Sequence, residues 1–588
     1  MEKKKFDSKI FRNLYWVTSN IYRIDRKYIV LSFISMIVGG IIPPISLIIM
    51  QNIINNIQTG VVSRNVFLLI SVYVGVDLIQ TIFNNVIGYY NSKFLMKFDL
   101  IFSEKIYRKA SRLSLDDYEN SETYDLINRA QYEGGGKLIN YYNNFISIST
   151  KIITLFSYVV ILFKFKIWIV LLVTIFPIIK YFINNMFNFK RFEVARLRTN
   201  DSRKSWYLTY LLTYGNFYKE LKNFNLFDYF IEKYKIFIRR FNSQDLQISK
   251  KQSILFSLLS LFETISDGLL FSYTVVLGIN KIILIGNVIT YTRTIINSKS
   301  CFTSILNSIS TAINESLFIE QLFEYFNIKE ENNIGKIKID KIESIKMVNL
   351  SYKYKNSNEY ALKNISLEIN KSRKIAIIGM NGSGKTTLIK LIMGFYTDYE
   401  GSILINGIEL RQIDKESLHS NISALFQDFV KYEATFRENI AYGNLEIMND
   451  DEKINLISEK FNLVEIIEKY EKKLDTQLGA WFDNGVNLSM GQWQKVALSR
   501  IFAKNSSLYI LDEPNAAMDS ITEYEISGLY EDILKNRIGI IITHKFNNII
   551  SIIDDIYVMQ NGEIIEQGSH KELLNMDGVY KRLYDLRG

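Results

Sequence analysis

Residues 374–390, KIAIIGMNGSGKTTLIK, join an apolar run to a glycine-rich turn and a lysine–threonine pair. Ile375 to Ile378 has the character of a buried strand, and the stretch after Lys385 that of a helix. Between them stands Gly379-x-x-x-x-Gly384-Lys385-Thr386, the spacing of a phosphate-binding P-loop. Gly379, Gly382 and Gly384 let the chain curl so that successive N–H groups, those of Met380, Asn381 and Ser383 among them, surround phosphate oxygens. The helix that follows points its positive end at the same anions. Lys385 neutralises β and γ charge, the Thr386 hydroxyl ligates magnesium, and Thr387 continues the cradle.

Other residues extend this chemistry. SLYILDEP, 507–514, is an apolar strand ending in two carboxylates. Asp512 is placed to hold magnesium, and Glu513 to polarise an attacking water as general base. Gln427, in ALFQDF, follows another strand-like run and could touch both magnesium and the water. His544, in IGIIITHK, ends a further buried strand, where it could stabilise a γ-phosphate as charge shifts; standing alone, such a histidine would be structural. Asp519, in NAAMDS, follows the carboxylates as a dimer contact would. Tyr352, in LSYKY, could stack on adenine, although Tyr354 is a near neighbour and either could serve simply as a strand aromatic. The ligands implied are ATP and Mg2+.

These residues need a framework. From about 342 to 588, short strand-like runs alternate with helix-like ones, the pattern of an α/β P-loop domain. The earlier chain differs in kind. Six stretches, near 28–54, 65–90, 141–163, 167–188, 254–279 and 283–310, are long and apolar enough for membrane helices, which need about 20 residues each. The first contains Pro43-Pro44, and the sixth is the most polar, with Arg293 and Lys299. The expected organisation is a basic N-terminal segment, 1–27, a transmembrane domain, 28–327, a polar linker, 328–341, and the α/β domain, 342–588. A separate helix is expected around 312–327.

Charge placement orients the chain. Cations crowd before the first stretch (Lys3, Lys4, Lys5, Arg12, Arg23, Arg26, Lys27), between the second and third, and between the fourth and fifth; the other connections carry few. By the positive-inside rule, both termini, the α/β domain and the two long loops are cytoplasmic. The net charge of +9 is thereby largely accounted for, and no nucleic-acid partner is expected. Cys301 is the only cysteine, which excludes an intrachain disulfide and a cysteine-based metal cluster. No cleavable signal peptide is visible. Asp77, Glu263, Asp267, Arg293 and Lys299 fall inside the expected spans. Intramembrane charge is costly unless it faces a bundle interior or water, so Asp77 and Asp267, the most central, suggest a polar cavity.

One more stretch, NLSMGQWQKVALSR at 487–500, has small polar residues at the mouth of an amphipathic helix. Taken in chain order, the P-loop, Gln427, residues 488–492, Asp512-Glu513, Asp519 and His544 resemble the ATP-binding cassette of ABC transporters. The six preceding spans match an exporter-type half-transporter, so the resemblance covers essentially the whole chain. LGAWFDNGVNLSMGQWQK and FQDFVKYEATFRENIAYG are similar to segments of bacterial modified-peptide exporters, such as lantibiotic and lasso-peptide transporters. LSLDDYENSETYDLINRAQ resembles that group's first coupling segment.

The resemblance implies that two chains close face to face, each ATP held between one P-loop and the signature of the other copy, with Ser489, Gly491 and Gln492 contributing. A homodimer is favoured over a heterodimer. It also implies that segments near 116–125 and 224–230 dock onto the cassettes. Met490 replaces the first glycine of the family's LSGGQ. A disabled signature would mark a degenerate member of a heterodimer. A methionine that turns its side chain away still offers its N–H, and with Lys385, Gln427, Glu513 and His544 in place a working site is expected. The expected function is ATP-driven export of a modified peptide across a bacterial inner or plasma membrane. A lipid or multidrug exporter, or a non-transporting immunity or regulatory subunit, would share the motifs. No peptidase domain precedes residue 28, so leader cleavage is not expected of this chain.

Overall fold

The computed structural model describes residues 2–60, 63–331, 335–355, 357–513, 528–543 and 548–586. They form two compact units, residues 1–111 with 122–328, and 112–121 with 329–588.

The first unit is helical. Its long members are α1 (Glu2–Ile24), α2 (Arg26–Gln58), α3 (Ser63–Ala110), α5 (Ser121–Phe165), α6 (Ile167–Leu197), α9 (Phe227–Ile279) and α10 (Ile285–Asn327), with α4 (Leu115–Glu119) counted in the other unit. Shorter α7 (Thr199–Thr213) and α8 (Tyr218–Asn223) lie between α6 and α9. Five helices, α2, α3, α5, α6 and α9, are long and apolar enough to cross a membrane. Their apolar side chains are largely exposed, Phe67, Leu68, Leu78, Ile79 and Ile82 of α3 among them, as expected where lipid replaces water. The chain is thus a multi-pass membrane protein. α10, the sixth of the bundle, is more polar and packs against α2, α6 and α9. It runs without a break through 312–327, where a separate helix was expected, because no glycine or proline interrupts residues 287–327.

At 1.5 Å per residue the 53 residues of α9 extend about 80 Å, far beyond the ~30 Å of a hydrocarbon layer. The long helices therefore continue well past their apolar segments. α5 and α6 are separated only by Lys166. α2 remains helical through Pro43 and Pro44, and packs tightly on α5 at Gly40, where a Cβ would lie 2.8 Å from Ile153. Of the five expected intramembrane charges, Glu263, Asp267 and Lys299 find partners across helices, whereas Asp77 and Arg293 are exposed. Lys180 of α6 pairs with Glu263 of α9, and Lys299 of α10 pairs with Asp267, one turn further along α9. The Lys299 ammonium also lies 5.5 Å from the Phe176 ring centroid.

The second unit holds two sheets. One is antiparallel in the order β2-β1-β4-β5, from β1 (Ser344–Lys353), β2 (Tyr360–Asn370), β4 (Glu400–Ile405) and β5 (Ile408–Glu409). The other runs β10-β9-β3-β8-β7-β6, from β3 (Lys374–Gly379), β6 (Ile422–Leu425), β7 (Leu508–Asp512), β8 (Ile538–Ile542), β9 (Asp555–Gln560) and β10 (Glu563–Gly568). Strands β9, β3, β8, β7 and β6 pair in parallel. Every residue of β7 and β8 is buried, which explains why they read as unbroken apolar runs and not as alternating ones. One core lies around both sheets and α11 (Lys385–Ile392). A second gathers α13 (Phe436–Ala441), α14 (Asp451–Lys460), α15 (Val464–Ile467) and α16 (Met490–Ala503), with α12 (Lys415–Ser420) on the sheet side.

Candidate functional site

Parallel pairing puts the carboxyl ends of β3, β8, β7 and β6 along one sheet edge, where open α/β sheets bind ligands. The P-loop leaves β3 there, Asp512 and Glu513 end β7, and Gln427 follows β6 by two residues. Thr386 and Asp512, 126 positions apart in sequence, thus meet.

The loop has the expected backbone. Gly382 and Gly384 have φ of +80° and +100°, in the region that favours glycine, and a Cβ on Gly379 would lie 2.3 Å from the Met559 carbonyl oxygen. Gly384 caps α11, so that helix's N-terminus opens onto the turn. The buried Lys385 ammonium donates to the carbonyls of Gly379 and Met380, both at 2.9 Å, which holds it across the loop. Met380 itself is exposed.

Two hydrogen bonds assemble the polar centre. The Thr386 hydroxyl donates to Asp512 Oδ2 at 3.3 Å, and the Gln427 amide donates to Glu513 Oε2 at 2.8 Å. Asp512 is only 5% exposed, and burial pushes its carboxyl up to about 6, with Glu513 adding to the shift and the Thr386 hydroxyl opposing it. Hydroxyl and carboxylate oxygens converging here are the hard donors that magnesium prefers. Glu513 has φ of +49°, an uncommon conformation for a side-chain-bearing residue. Its N–H donates to the Ile542 carbonyl of β8 at 2.9 Å, so the strained turn is pinned to the neighbouring strand.

The aromatic assignment needs correction. Tyr352 is 3% exposed, stacked on Tyr396 with centroids 5.0 Å apart, and belongs to the core; its ring has no open face for adenine. Tyr354 is the aromatic at the loop, its hydroxyl 2.8 Å from the Thr387 hydroxyl. Asp519 and His544 lie outside the described residues.

The signature stretch starts α16. Ser489 is the N-cap: its Oγ accepts from the Gln492 N–H at 3.3 Å, and Gln492 Oε1 accepts from the Ser489 N–H at 2.9 Å, closing a reciprocal capping box. Met490 is the first helical residue, with its side chain 43% exposed, and Gly491 follows. A side chain at this position points outward and leaves the cap intact. Met490→Gly is therefore expected to change ATP hydrolysis by less than about threefold, while costing up to ~1 kcal/mol of helix stability, both read from turnover and thermal melts of the purified chain. No hydrogen bond or ion pair among the described residues joins 489–492 to the P-loop of the same chain. Arg500, near the end of α16, donates to the carbonyls of Asn439 and Val430 at 3.0 and 3.2 Å and ties the segment after Gln427 to the signature helix. Sequence reasoning missed this link, since an arginine on an amphipathic helix gives no sign of which carbonyls it will meet.

Residues 112–121 complete the second unit. Ser114 and Asp117 form a capping box that starts α4, and Leu115 packs on the sheet core. Asp116 pairs with Lys355 at 2.8 Å, and Glu119 accepts from Lys390 at 3.1 Å and from the Tyr396 hydroxyl at 3.0 Å. Lys390 is on α11, so this segment reaches the helix that begins at the P-loop. Residues 224–230 belong to the first unit, where Phe224 and Tyr229 are exposed.

Comparison with known proteins agrees with this geometry. Residues 362–516 match the family model described as ABC transporter. The chain is 34% identical to the subtilin transport ATP-binding protein of Bacillus subtilis over 96% of its own length and 92% of that protein's. It is also 34% identical to the nisin transport ATP-binding protein of Lactococcus lactis subsp. lactis, over 99% and 98%. The fold is similar to that of a bacterial Atm1-family ABC exporter solved with ATP bound, with a TM-score of 0.78 at 20% identity, covering 96% of this chain and 98% of that one.

Proposed function

This chain belongs to the ABC transporter family, and from that premise we propose that it exports a ribosomally made, modified peptide across the bacterial cytoplasmic membrane at the expense of ATP. The observation that carries the reading is the joining of Thr386 to Asp512 and of Gln427 to Glu513 at one sheet edge, in a chain that also carries the membrane helices. The full-length similarity to proteins named for subtilin and nisin transport supports peptide as the cargo.

Two copies are required, because each P-loop takes its signature from the other chain. ATP bound to the loop residues Gly379 to Thr387 and to Ser489, Gly491 and Gln492 of the second copy draws the two cassettes together. Asp519 is assigned to that junction from its place in the sequence alone, and Tyr354 is the aromatic assigned to the base. Thr386, Asp512 and Gln427 would hold magnesium, which would supply charge neutralisation across the phosphates. Glu513, oriented by Gln427, takes a proton from the attacking water as its oxygen bonds to the γ-phosphorus and the bond to the β-bridging oxygen breaks; His544 steadies the transferred group. Cassette closure turns the membrane cavity outward and hydrolysis resets it. Both termini and the cassette face the cytoplasm, on the side of the basic loops.

The test uses the purified chain in proteoliposomes. Peptide carrying the cognate leader should raise ATP hydrolysis at least severalfold and accumulate inside vesicles whose cassettes face outward. Stimulation by lipids or small amphiphiles with none by peptide would shift the assignment to those cargoes, and peptide stimulation without accumulation would point to a regulatory subunit.

A further inference from the structure

Between the α1–α2 junction and α3 the first unit has a recess of about 610 Å³ lined by five cations, Arg23, Arg26, Lys27, Lys93 and Lys97, against one carboxylate, Asp25. We propose that this recess binds the headgroup of an anionic phospholipid of the inner leaflet.

The carboxylate does not neutralise the cluster. Asp25 is the N-cap of α2 and accepts from the N–H groups of Lys27 and Tyr28 at 2.9 and 3.4 Å. Its other oxygen is 3.6 Å from Lys97, which also donates to the Ile24 carbonyl at 3.0 Å. Arg23, Lys27 and Lys93 are exposed and have no ion-pair partner among the described residues. The Arg26 guanidinium lies over the Tyr22 ring, 5.0 Å from its centroid, which leaves its fork of N–H donors free. The N-terminus of the 33-residue α2 adds its own positive end.

Position and shape choose the ligand. Lys27 is the last charge before the first apolar stretch, and Lys93 the first after the second, so both stand at one membrane boundary. Phe94 stacks on Tyr28 with ring centroids 3.7 Å apart, fixing α3 against the start of α2 between the two lysines. The same recess is lined by Leu31, one turn deeper in α2, and by Tyr90 on α3. A cationic rim that passes into an apolar wall at the level of the headgroups fits a phosphodiester with acyl chains attached. A free phosphate would use the rim alone. Basic pockets at this depth attract anionic lipid by about fivefold in affinity per cation.

The full-length protein is placed in nanodiscs of phosphatidylcholine with and without phosphatidylglycerol. Phosphatidylglycerol retained after extraction is counted by native mass spectrometry. Lys27→Gln and Lys93→Gln should each weaken retention about fivefold and their combination more than tenfold. Lys93→Arg should keep retention, as should Lys250→Gln with Lys251→Gln, which remove two exposed cations of α9. Unchanged retention in the double Lys27/Lys93 variant overturns the proposal. Retention abolished by inorganic phosphate at constant ionic strength overturns the lipid assignment in favour of a simple anion site. The readout is bound lipid, so it stands or falls separately from hydrolysis and transport.

Discussion

Glu513→Gln should lower ATP hydrolysis by about 10²- to 10⁴-fold while leaving ATP-dependent association of two chains intact. The change removes the oxygen that can accept a proton and little else. Gln427 donates to Glu513 Oε2, and a glutamine side chain keeps a carbonyl oxygen that can accept the same 2.8 Å bond. The N–H to Ile542 and the φ of +49° belong to the backbone and are untouched. Steady-state turnover measures the loss, and light scattering with ATP and magnesium measures association. Residual turnover within about tenfold of the parent would remove Glu513 from the role of base. A chain that stays monomeric under these conditions would remove the paired-cassette mechanism as well.

The second large effect is expected inside the membrane unit. Asp267→Asn leaves the Lys299 ammonium, 6% exposed, without its counter-charge among apolar helices. Leaving a buried charge uncompensated costs about 3 kcal/mol or more, enough to lower yield and melting temperature sharply. Replacing both partners, Asp267→Leu with Lys299→Met, should recover most of that stability, because the desolvation cost of the pair disappears with it. The two outcomes separate packing from function. If the apolar double variant melts like the parent yet no longer shows cargo-stimulated hydrolysis, the pair acts on the transport path. If it regains both, the pair holds α9 to α10 and does no more. A single Asp267→Asn variant as stable as the parent would mean that Lys299 finds other partners.

The P-loop could be read in the sequence because its parts are local: strand, glycines, lysine and helix fall within 17 residues. The same holds for the cap of α16, since Ser489-x-x-Gln492 is a capping box on its face and Met490 lies inside it. What depended on distant chain was harder. Tyr352 near the end of β1 and Tyr354 just past it are two residues apart, so the period of a strand puts them on one face and cannot choose between them. Tyr396, 44 residues away from Tyr352, covers that ring and leaves Tyr354 beside Thr387. Glu263 and Asp267 stood out as intramembrane acids, but Lys180 comes from 83 residues upstream of Glu263 and no periodicity announces it. The apolar stretches marked where lipid must be met. They gave no measure of how far each helix continues beyond it, because that length is set by the absence of breakers in polar sequence.

The segment near 116–125 was expected to dock onto the cassette, and its first residues do: Asp116 pairs with Lys355, Glu119 holds Lys390 and Tyr396, and the preceding Leu115 packs on the sheet core, so residues 112–121 count with that unit. The compact unit that holds the nucleotide site is thus discontinuous in sequence. A fragment cut to begin at residue 329 or later would carry an uncovered apolar notch and a lysine and a tyrosine stripped of their acid. Anyone wishing to express the ATPase half alone would do better to graft α4 back by a designed linker than to trim the boundary further.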